Sequence, residues 1–308
     1  MTNIHLDTLC YKYWFGNNDY YGIYDKDKFS KLFFPFYEVN EVNKVNNEIN
    51  NKQNVIVYDA HWGITPGHNI NNNNMNILLC IENCNYWKHY KHYNIYGDYG
   101  NDKIKIYLYN HVTRLKITES YIVIPVIYLF INYYKKYNNI IQPTIITPFN
   151  EKLFCLIVSF NKRNEQDAMA MNFLISKIQN IGHCDSIKNI KVKGSAYFTT
   201  DLLNLFNRYK FIICFENSIS DGYITEKPFN VIFAHSIPIY YGPSDRYRYF
   251  NKDSFIDVRE TDFNTILNKI ISIKDNEELF NSYINKSFIN KDFDDENFIQ
   301  EAQKFINK

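Results

Sequence analysis

Chemically active side chains cluster where one apolar segment of the chain ends, in the stretch FIICFENSISDGYITEK from Phe211 to Lys227. Five apolar residues lead into Glu-Asn-Ser, then a loop containing Asp-Gly, then Tyr-Ile-Thr-Glu-Lys. Burying carboxylates, an amide and an ammonium group is costly unless each of them finds a partner. The stretch therefore predicts a binding site at the mouth of a buried strand.

The Thr-Glu-Lys segment predicts an anion site at the start of a helix. Thr225 is a good N-cap residue, and Pro228 then falls in the first turn, where its missing amide hydrogen does no harm. Lys227 and the free amides of that turn would bind an anion, most commonly phosphate. Glu226 would be repelled by phosphate, so a pair of ribose hydroxyls is its more sensible partner. An ordinary capped helix start also explains these residues; the combination with the FENS strand end and Tyr223 favours a nucleoside diphosphate site.

Strands and helices alternate through the second half of the chain, which predicts a parallel, doubly wound α/β sheet. Ligands of such sheets bind beyond the carboxyl ends of the strands, and FENS stands at one of those ends. The sequence has neither GxGxxG nor GxxxxGK followed by Ser or Thr, which counts against a dinucleotide dehydrogenase and a P-loop NTPase. The predicted strands are 152–160, 187–194, 210–215, 237–242 and 254–258; the predicted helices are 168–181, 199–209, one from residue 225 and others near the C-terminus.

The first half of the chain predicts a second α/β unit. Asn-rich segments at 46–54 and 69–76 are typical of loops, and each precedes a short apolar run that ends in polar residues, as a buried strand does. The segment 142–152 contains two prolines and is the best linker candidate. We therefore expect an N-terminal domain at 1–145 and a C-terminal domain with terminal helices at 146–308.

Bulk composition excludes several classes of protein. The 308 residues have a formal net charge of +1, so the chain has no overall field for nucleic acid, and no nucleic-acid partner is expected. Six cysteines lack zinc-site spacing, which predicts free thiols and no metal. The apolar run 121–131 is far shorter than the roughly 20 residues of a membrane span, so it predicts a buried helix or strand pair. With no signal peptide visible, we expect a soluble, cytoplasmic protein, or one of the Golgi lumen if the chain has been trimmed.

The segment from Tyr209 to Val258, YKFIICFENSISDGYITEKPFNVIFAHSIPIYYGPSDRYRYFNKDSFIDV, resembles the signature of the α1,3/α1,4-fucosyltransferases, glycosyltransferase family ten. The resemblance implies a GT-B fold, in which two Rossmann-like, doubly wound domains face each other across a cleft. It also implies that the N-terminal domain at 1–145 lies on the acceptor side and that the C-terminal domain at 146–308 holds GDP-fucose. In that domain Glu226 would bind the ribose hydroxyls and Lys227 the diphosphate. The remaining donor-pocket residues implied by position are Asn217, Ser218 and Tyr223.

The resemblance further implies an inverting transfer of L-fucose to a hydroxyl, O3, of a GlcNAc-type sugar in a glycan, with no cofactor or metal required. Inversion needs a base on the acceptor side to take the hydroxyl proton. Glu82, which follows a predicted strand and precedes Asn83, matches the family's base, although Ile81 stands where the family usually has Gly. The alternative for Glu82 is a solvated carboxylate at a strand end.

The sequence departs from the family pattern at one residue that would bind the diphosphate. The family usually carries an Arg on the helix after the first strand of this domain, at a position that here holds Asp167 or Ala168. Arg163 or Lys162 could supply the charge instead, or Lys227 and the helix end could carry most of it. The departure keeps open a GT-B transferase that uses another nucleotide sugar. A degenerate relative that binds glycans without catalysis is the third reading.

Overall fold

The chain packs into two compact units in a computed structural model, Met1–Tyr133 with Asp294–Lys308 and Tyr134–Phe293. The functional boundary expected between residues 145 and 146 stays a prediction. The structure describes residues 2–6, 31–36, 39–44, 55–59, 75–80, 105–110, 112–158, 165–190, 198–259, 262–294 and 296–307.

The first unit contains a seven-stranded sheet in the order β2-β1-β3-β4-β5-β7-β6. All pairings are parallel except that of β6 with β7. Both strands expected from the short apolar runs are present, as β3 and β4. The strands are β1 Thr2–Leu6, β2 Val39–Lys44, β3 Val55–Asp59, β4 Met75–Cys80, β5 Ile106–Tyr109, β6 Lys116–Ile117 and β7 Ile122–Pro125.

The apolar run at 121–131 is a buried strand followed at once by a buried helix. Strand β7 ends at Pro125, and helix α1 (Val126–Tyr137) begins at the next residue. Proline lacks an amide hydrogen, so it is tolerated at this junction, where neither the strand ladder nor the helix requires that donor. Among the described residues, no helix is long and apolar enough to cross a membrane.

The second unit contains a five-stranded parallel sheet in the order β12-β11-β10-β8-β9. Counted from β8 as the first strand, this order is 2-1-3-4-5, the doubly wound arrangement whose direction reverses between its first and third strands. The third strand is β10, which the FENS segment follows. The strands are β8 Leu153–Ile157, β9 Cys184–Ser186, β10 Tyr209–Ile213, β11 Ile237–Tyr240 and β12 Ile256–Asp257.

Helices complete the second unit in alternation with these strands, as the sequence predicts. Its core includes Leu174 of α2 and Ile270 of α6, packed with Phe211 and Ile213 of β10. The helices are α2 Glu165–Gln179, α3 Thr200–Asn207, α4 Lys227–Phe233, α5 Arg246–Tyr249, α6 Phe263–Lys274 and α7 Glu277–Ile284; α8 Glu296–Ile306 belongs to the first unit.

Several predicted boundaries differ from the structure by a few residues, and two of them concern β9 and α4. The start of the strand expected at 187–194 is wrong: β9 covers Cys184–Ser186, and Ile187–Asn189 is a 3-10 turn. Residues 191–194 of that prediction lie outside the described residues. Strand β9 pairs with β8 from Cys184 opposite Cys155 to Ser186 opposite Ile157, so the sheet here contains the polar Asp185 and Ser186. The helix expected to be capped by Thr225 begins two residues later.

Candidate functional site

The candidate site begins where β10 leaves the centre of the second sheet. Strand β10 lies between β8 and β11, and its ladder with the β11 side continues past the last strand residue. The Cys214 amide donates to the Ile239 carbonyl at 3.0 Å, and the Glu216 amide donates to the Tyr241 carbonyl at 2.9 Å. These bonds hold the backbone of Glu216 at the carboxyl edge of the sheet, next to the point where strand order reverses.

The Glu216 carboxylate is completely buried and accepts hydrogen bonds from three residues. Its Oε1 accepts from the Thr225 amide at 2.9 Å and from the Tyr240 hydroxyl at 3.1 Å. Its Oε2 accepts from the Thr225 hydroxyl at 2.8 Å and from Lys227 Nζ at 3.3 Å. Burial and the neighbouring Glu216 raise the pKa of Tyr240 well above its usual value, so this hydroxyl stays a donor. A buried carboxylate is tolerated here because donors surround it.

Lys227 and Glu226 lie together at the start of α4, and each side chain is 16% exposed. Lys227 Nζ donates to Thr225 Oγ1 at 2.9 Å and lies 3.9 Å from Glu226 Oε1. The site therefore presents an ammonium group and a carboxylate side by side, both reachable from solvent. This is the pairing expected for a ligand with a phosphate and a sugar diol.

Thr225 does not cap helix α4, contrary to the expectation from sequence. The N-cap position is Glu226, in a helical conformation and without a side-chain cap. The amide and the hydroxyl of Thr225 both donate to the Glu216 carboxylate, so the hydroxyl faces the strand end rather than the helix amides. Pro228 does lie in the first turn, as predicted.

The loop between β10 and α4 is tied to the turn that follows β11. The Gly222 amide donates to both carboxylate oxygens of Asp245 at 3.1 Å, and Ser244 donates to the Asp221 carboxylate. Gly222 has a φ of 74°, a conformation that glycine adopts without strain. Burial raises the pKa of Asp245, which the Gly222 amide and the Tyr249 hydroxyl partly offset.

The three other residues expected in the donor pocket lie on this tied loop. Asn217 and Ser218 are half-buried, directly after Glu216. Tyr223 is only 1% exposed, so its ring supports the loop from inside more than it lines an open surface. Five of the seven predicted site residues thus belong to one segment of the second unit. Glu82 and Arg163 lie outside the described residues, and their predicted roles stay predictions.

Sequence reasoning missed a second buried charge network next to the loop. The Arg246 guanidinium is fully buried; its Nε donates to Asp257 Oδ2 at 2.9 Å, and its Nη1 donates to the Pro243 carbonyl at 3.0 Å. Tyr247 donates its hydroxyl to the same carboxylate. The polar pattern RYRY gave no sign of burial, whereas Glu216 could have been suspected from its place directly after a buried strand.

The described residues contain no group of three or more His, Cys, Asp or Glu side chains placed to hold a metal ion. Cys155, Cys184 and Cys214 are free thiols, as predicted for these three cysteines.

The sequence of residues 147–303 matches the family model described as glycosyltransferase family 10 (fucosyltransferase), C-terminal part. A protein of Acanthamoeba polyphaga mimivirus named as a fucosyltransferase is 35% identical over 127 residues, which cover 37% of this chain and 20% of that protein. Human 4-galactosyl-N-acetylglucosaminide 3-alpha-L-fucosyltransferase 9 is 34% identical over 145 residues, covering 45% and 38%. The alpha-(1,3)-fucosyltransferase FucT of Helicobacter pylori is 44% identical over 54 residues, covering 18% and 11%. The chain therefore spans well under half the length of these curated relatives.

Solved structures of α1,3-fucosyltransferases are similar to the chain over almost its whole length. One superposes with a TM-score of 0.62 at 15% identity, and another, solved with GDP-fucose, with a TM-score of 0.60 at 16% identity. Both alignments cover 99% of this chain and 89% of the other. At this level of identity the likeness establishes the fold, which is the GT-B fold predicted from sequence.

Proposed function

The chain belongs to glycosyltransferase family 10, the fucosyltransferases, and on that premise we propose that it transfers L-fucose from GDP-fucose to O3 of a GlcNAc-type sugar in a glycan, with inversion. The observation that carries the proposal is the adjacent, solvent-reachable pair of Lys227 and Glu226 at the carboxyl end of β10. This pair lies inside the matched segment and beside the strand-order reversal, where doubly wound sheets bind nucleotides.

The donor half of the site follows from charge. Lys227 binds the diphosphate, and Glu226 accepts hydrogen bonds from the ribose hydroxyls, which a phosphate could not offer it. Asn217 and Ser218 supply polar contacts from the rim of the loop, and Tyr223 supports that rim. A diphosphate carries more negative charge than one lysine balances, so we assign Arg163 as a second cation.

The chemical step needs a base and a stabilised leaving group. Glu82 takes the proton from the acceptor hydroxyl as its oxygen bonds to the anomeric carbon of fucose. The bond from that carbon to the phosphate oxygen breaks, and GDP leaves with the electron pair. Cationic side chains held in place before the reaction stabilise this charge, and removing one such group typically costs about 3 kcal/mol of transition-state stabilisation. The proposal requires no cofactor or metal, so turnover is expected to persist in excess EDTA.

The test is incubation with GDP-fucose and a panel of N-acetyllactosamine and chitobiose-core acceptors, with released GDP as the readout. The variant Glu82→Gln is expected to bind GDP normally and to lose turnover. The matched control is Glu278→Gln, an exposed glutamate of α7 whose loss is expected to change neither property. Turnover by Glu82→Gln would refute the base assignment; neither turnover nor GDP binding by the unmodified protein would refute the function.

A second candidate is a GT-B transferase with another nucleotide-sugar donor, because the family's diphosphate arginine is missing from its usual place. Thermal unfolding with GDP, UDP and ADP separates the two, since a ligand that binds only the folded state raises the melting temperature. The main proposal expects stabilisation by GDP alone. Binding of GDP and glycans without GDP release from GDP-fucose would instead indicate a degenerate, glycan-binding relative.

A further inference from the structure

Glu216 is a fully buried carboxylate that the roles assigned above leave unused. It lies three residues after the end of β10 and precedes Asn217. We propose that Glu216 is a positioning residue, whose carboxylate anchors the Lys227 ammonium and the Thr225 hydroxyl so that Lys227 meets the donor diphosphate already oriented. This inference rests on the proposed function, and it adds a residue that does not itself touch the donor.

The carboxylate can act as an anchor because it is itself held from two sides. Its backbone amide donates to the Tyr241 carbonyl, and its Oε1 accepts from the Tyr240 hydroxyl. The last residue of β11 and the residue after it therefore hold both ends of Glu216. Tyr240 is 0% exposed, which leaves the carboxylate little room to shift. The position of the Glu216 carboxylate is therefore fixed by bonds to the β11 side of the sheet as well as by the loop residue Thr225.

The lysine needs such an anchor for a physical reason. Its ammonium sits on a flexible four-carbon stem with rotatable donors, and ordering that stem costs conformational entropy. Two of the donor directions are set by Glu216 Oε2 at 3.3 Å and Thr225 Oγ1 at 2.9 Å. The ordering is thus completed during folding, and an arriving phosphate does not have to supply it.

Charge alone would predict that removing the Glu216 carboxylate strengthens phosphate binding at Lys227. A buried carboxylate next to Lys227 lowers the local positive potential, so its removal could tighten phosphate binding. The anchor proposal predicts weaker binding, because a Gln at this place puts an amide donor opposite the ammonium donor. The direction of the change therefore decides between orientation and simple electrostatics.

The experiment is a double-mutant cycle on GDP affinity, measured by calorimetry with Glu216→Gln, Lys227→Met and the double variant. Glu216→Gln is expected to weaken GDP binding about tenfold, as loss of a hydrogen bond to a charged group does. In the Lys227→Met background the same change is expected to have less than about a twofold effect, because the two residues act as a unit. Unchanged or tighter binding by Glu216→Gln, or an equal loss in both backgrounds, would overturn the proposal.

A second readout does not depend on nucleotide. The rate of amine acylation at Lys227, followed by mass spectrometry, is expected to rise in Glu216→Gln relative to the exposed Lys252. The control is Asp257→Asn, another buried carboxylate of this unit, which pairs with Arg246 and is expected to leave Lys227 acylation unchanged. Equal acylation of Lys227 in the unmodified protein and Glu216→Gln would overturn the anchor.

These readouts separate the proposed donor from the proposed role of Glu216. Absence of GDP binding by the unmodified protein defeats the proposed donor, while the acylation rate still decides whether Glu216 holds Lys227. If Glu216→Gln fails to fold, Thr225→Val removes the hydroxyl that bridges the two charges and keeps the backbone amide bond. Thr225→Val is expected to move both readouts in the same direction by a smaller amount; no change in either would overturn the proposal.

Discussion

The buried Arg246 is expected to contribute strongly to the stability of the second unit. Its guanidinium is 0% exposed, donates from Nε and Nη2 to Asp257, and reaches the carbonyls of Pro243 at 3.0 Å and Ser244 at 3.4 Å. The change Arg246→Met keeps the length of the stem and removes the charge and all of these donors. It leaves Asp257, whose side chain is 7% exposed, as a buried carboxylate without its counter-ion.

The magnitude follows from what remains around Asp257. Breaking a buried ion pair from one side typically costs about 3 to 5 kcal/mol, mainly because the remaining charge is uncompensated. Asp257 keeps two donors, the Tyr247 hydroxyl and the Arg259 amide at 2.9 Å, which places the expected loss near the lower end, about 3 kcal/mol. The double variant with Asp257→Asn removes the stranded charge and is expected to lose only about 1 to 2 kcal/mol.

The assay is urea unfolding followed by far-UV circular dichroism, because all three tryptophans lie in the first unit and would not report on the second. The matched control is Arg208→Met, an exposed arginine of the same unit, expected within about 0.5 kcal/mol of the unmodified protein. A loss below about 1 kcal/mol for Arg246→Met, or a double variant less stable than the single one, would refute the reasoning.

Three further changes test the packing of the second unit. Burial lowers the pKa of Lys152 to about 8, below its ordinary value of 10.5, so from pH 8 to 10 the unfolded chain binds a proton that the folded chain has lost. This group should therefore make the free energy of unfolding rise by at most about 1.4 kcal/mol per pH unit over that range. The variant Lys152→Met should lack this rise, and parallel curves of unfolding free energy against pH for the two proteins would contradict the prediction. Gly242→Ala would place a methyl group against the buried Tyr240 ring, disturbing its bond to Glu216, and should cost about 1 to 3 kcal/mol in urea unfolding; an unchanged midpoint would contradict it. Asn207→Asp would replace the amide that donates to the Ala234 carbonyl at 2.7 Å with an acceptor, so thermal unfolding should show a lower melting temperature. The control Asn172→Asp, at an exposed position of α2, should show little change.

The sequence predicts those features that depend on neighbours along the chain. A short apolar run that ends in Glu-Asn-Ser marks a buried strand and its polar end, and alternating elements mark a doubly wound sheet. The motif from Tyr209 to Val258 identifies the family, and Glu226 beside Lys227 indicates a donor with a diphosphate and a sugar. All of these are local patterns, in which residue type and spacing carry the physical information.

Tertiary structure alone decided which charges are buried and what they bind. Glu216 becomes an anchor only because β11 lies beside β10 and brings Tyr240 to its carboxylate. That same carboxylate takes the Thr225 amide and hydroxyl, which is why helix α4 begins at Lys227 rather than after a Thr225 cap. Hydrogen bonds of this kind join residues whose distance is set by strand order, and strand order cannot be read from the spacing of residues within one segment.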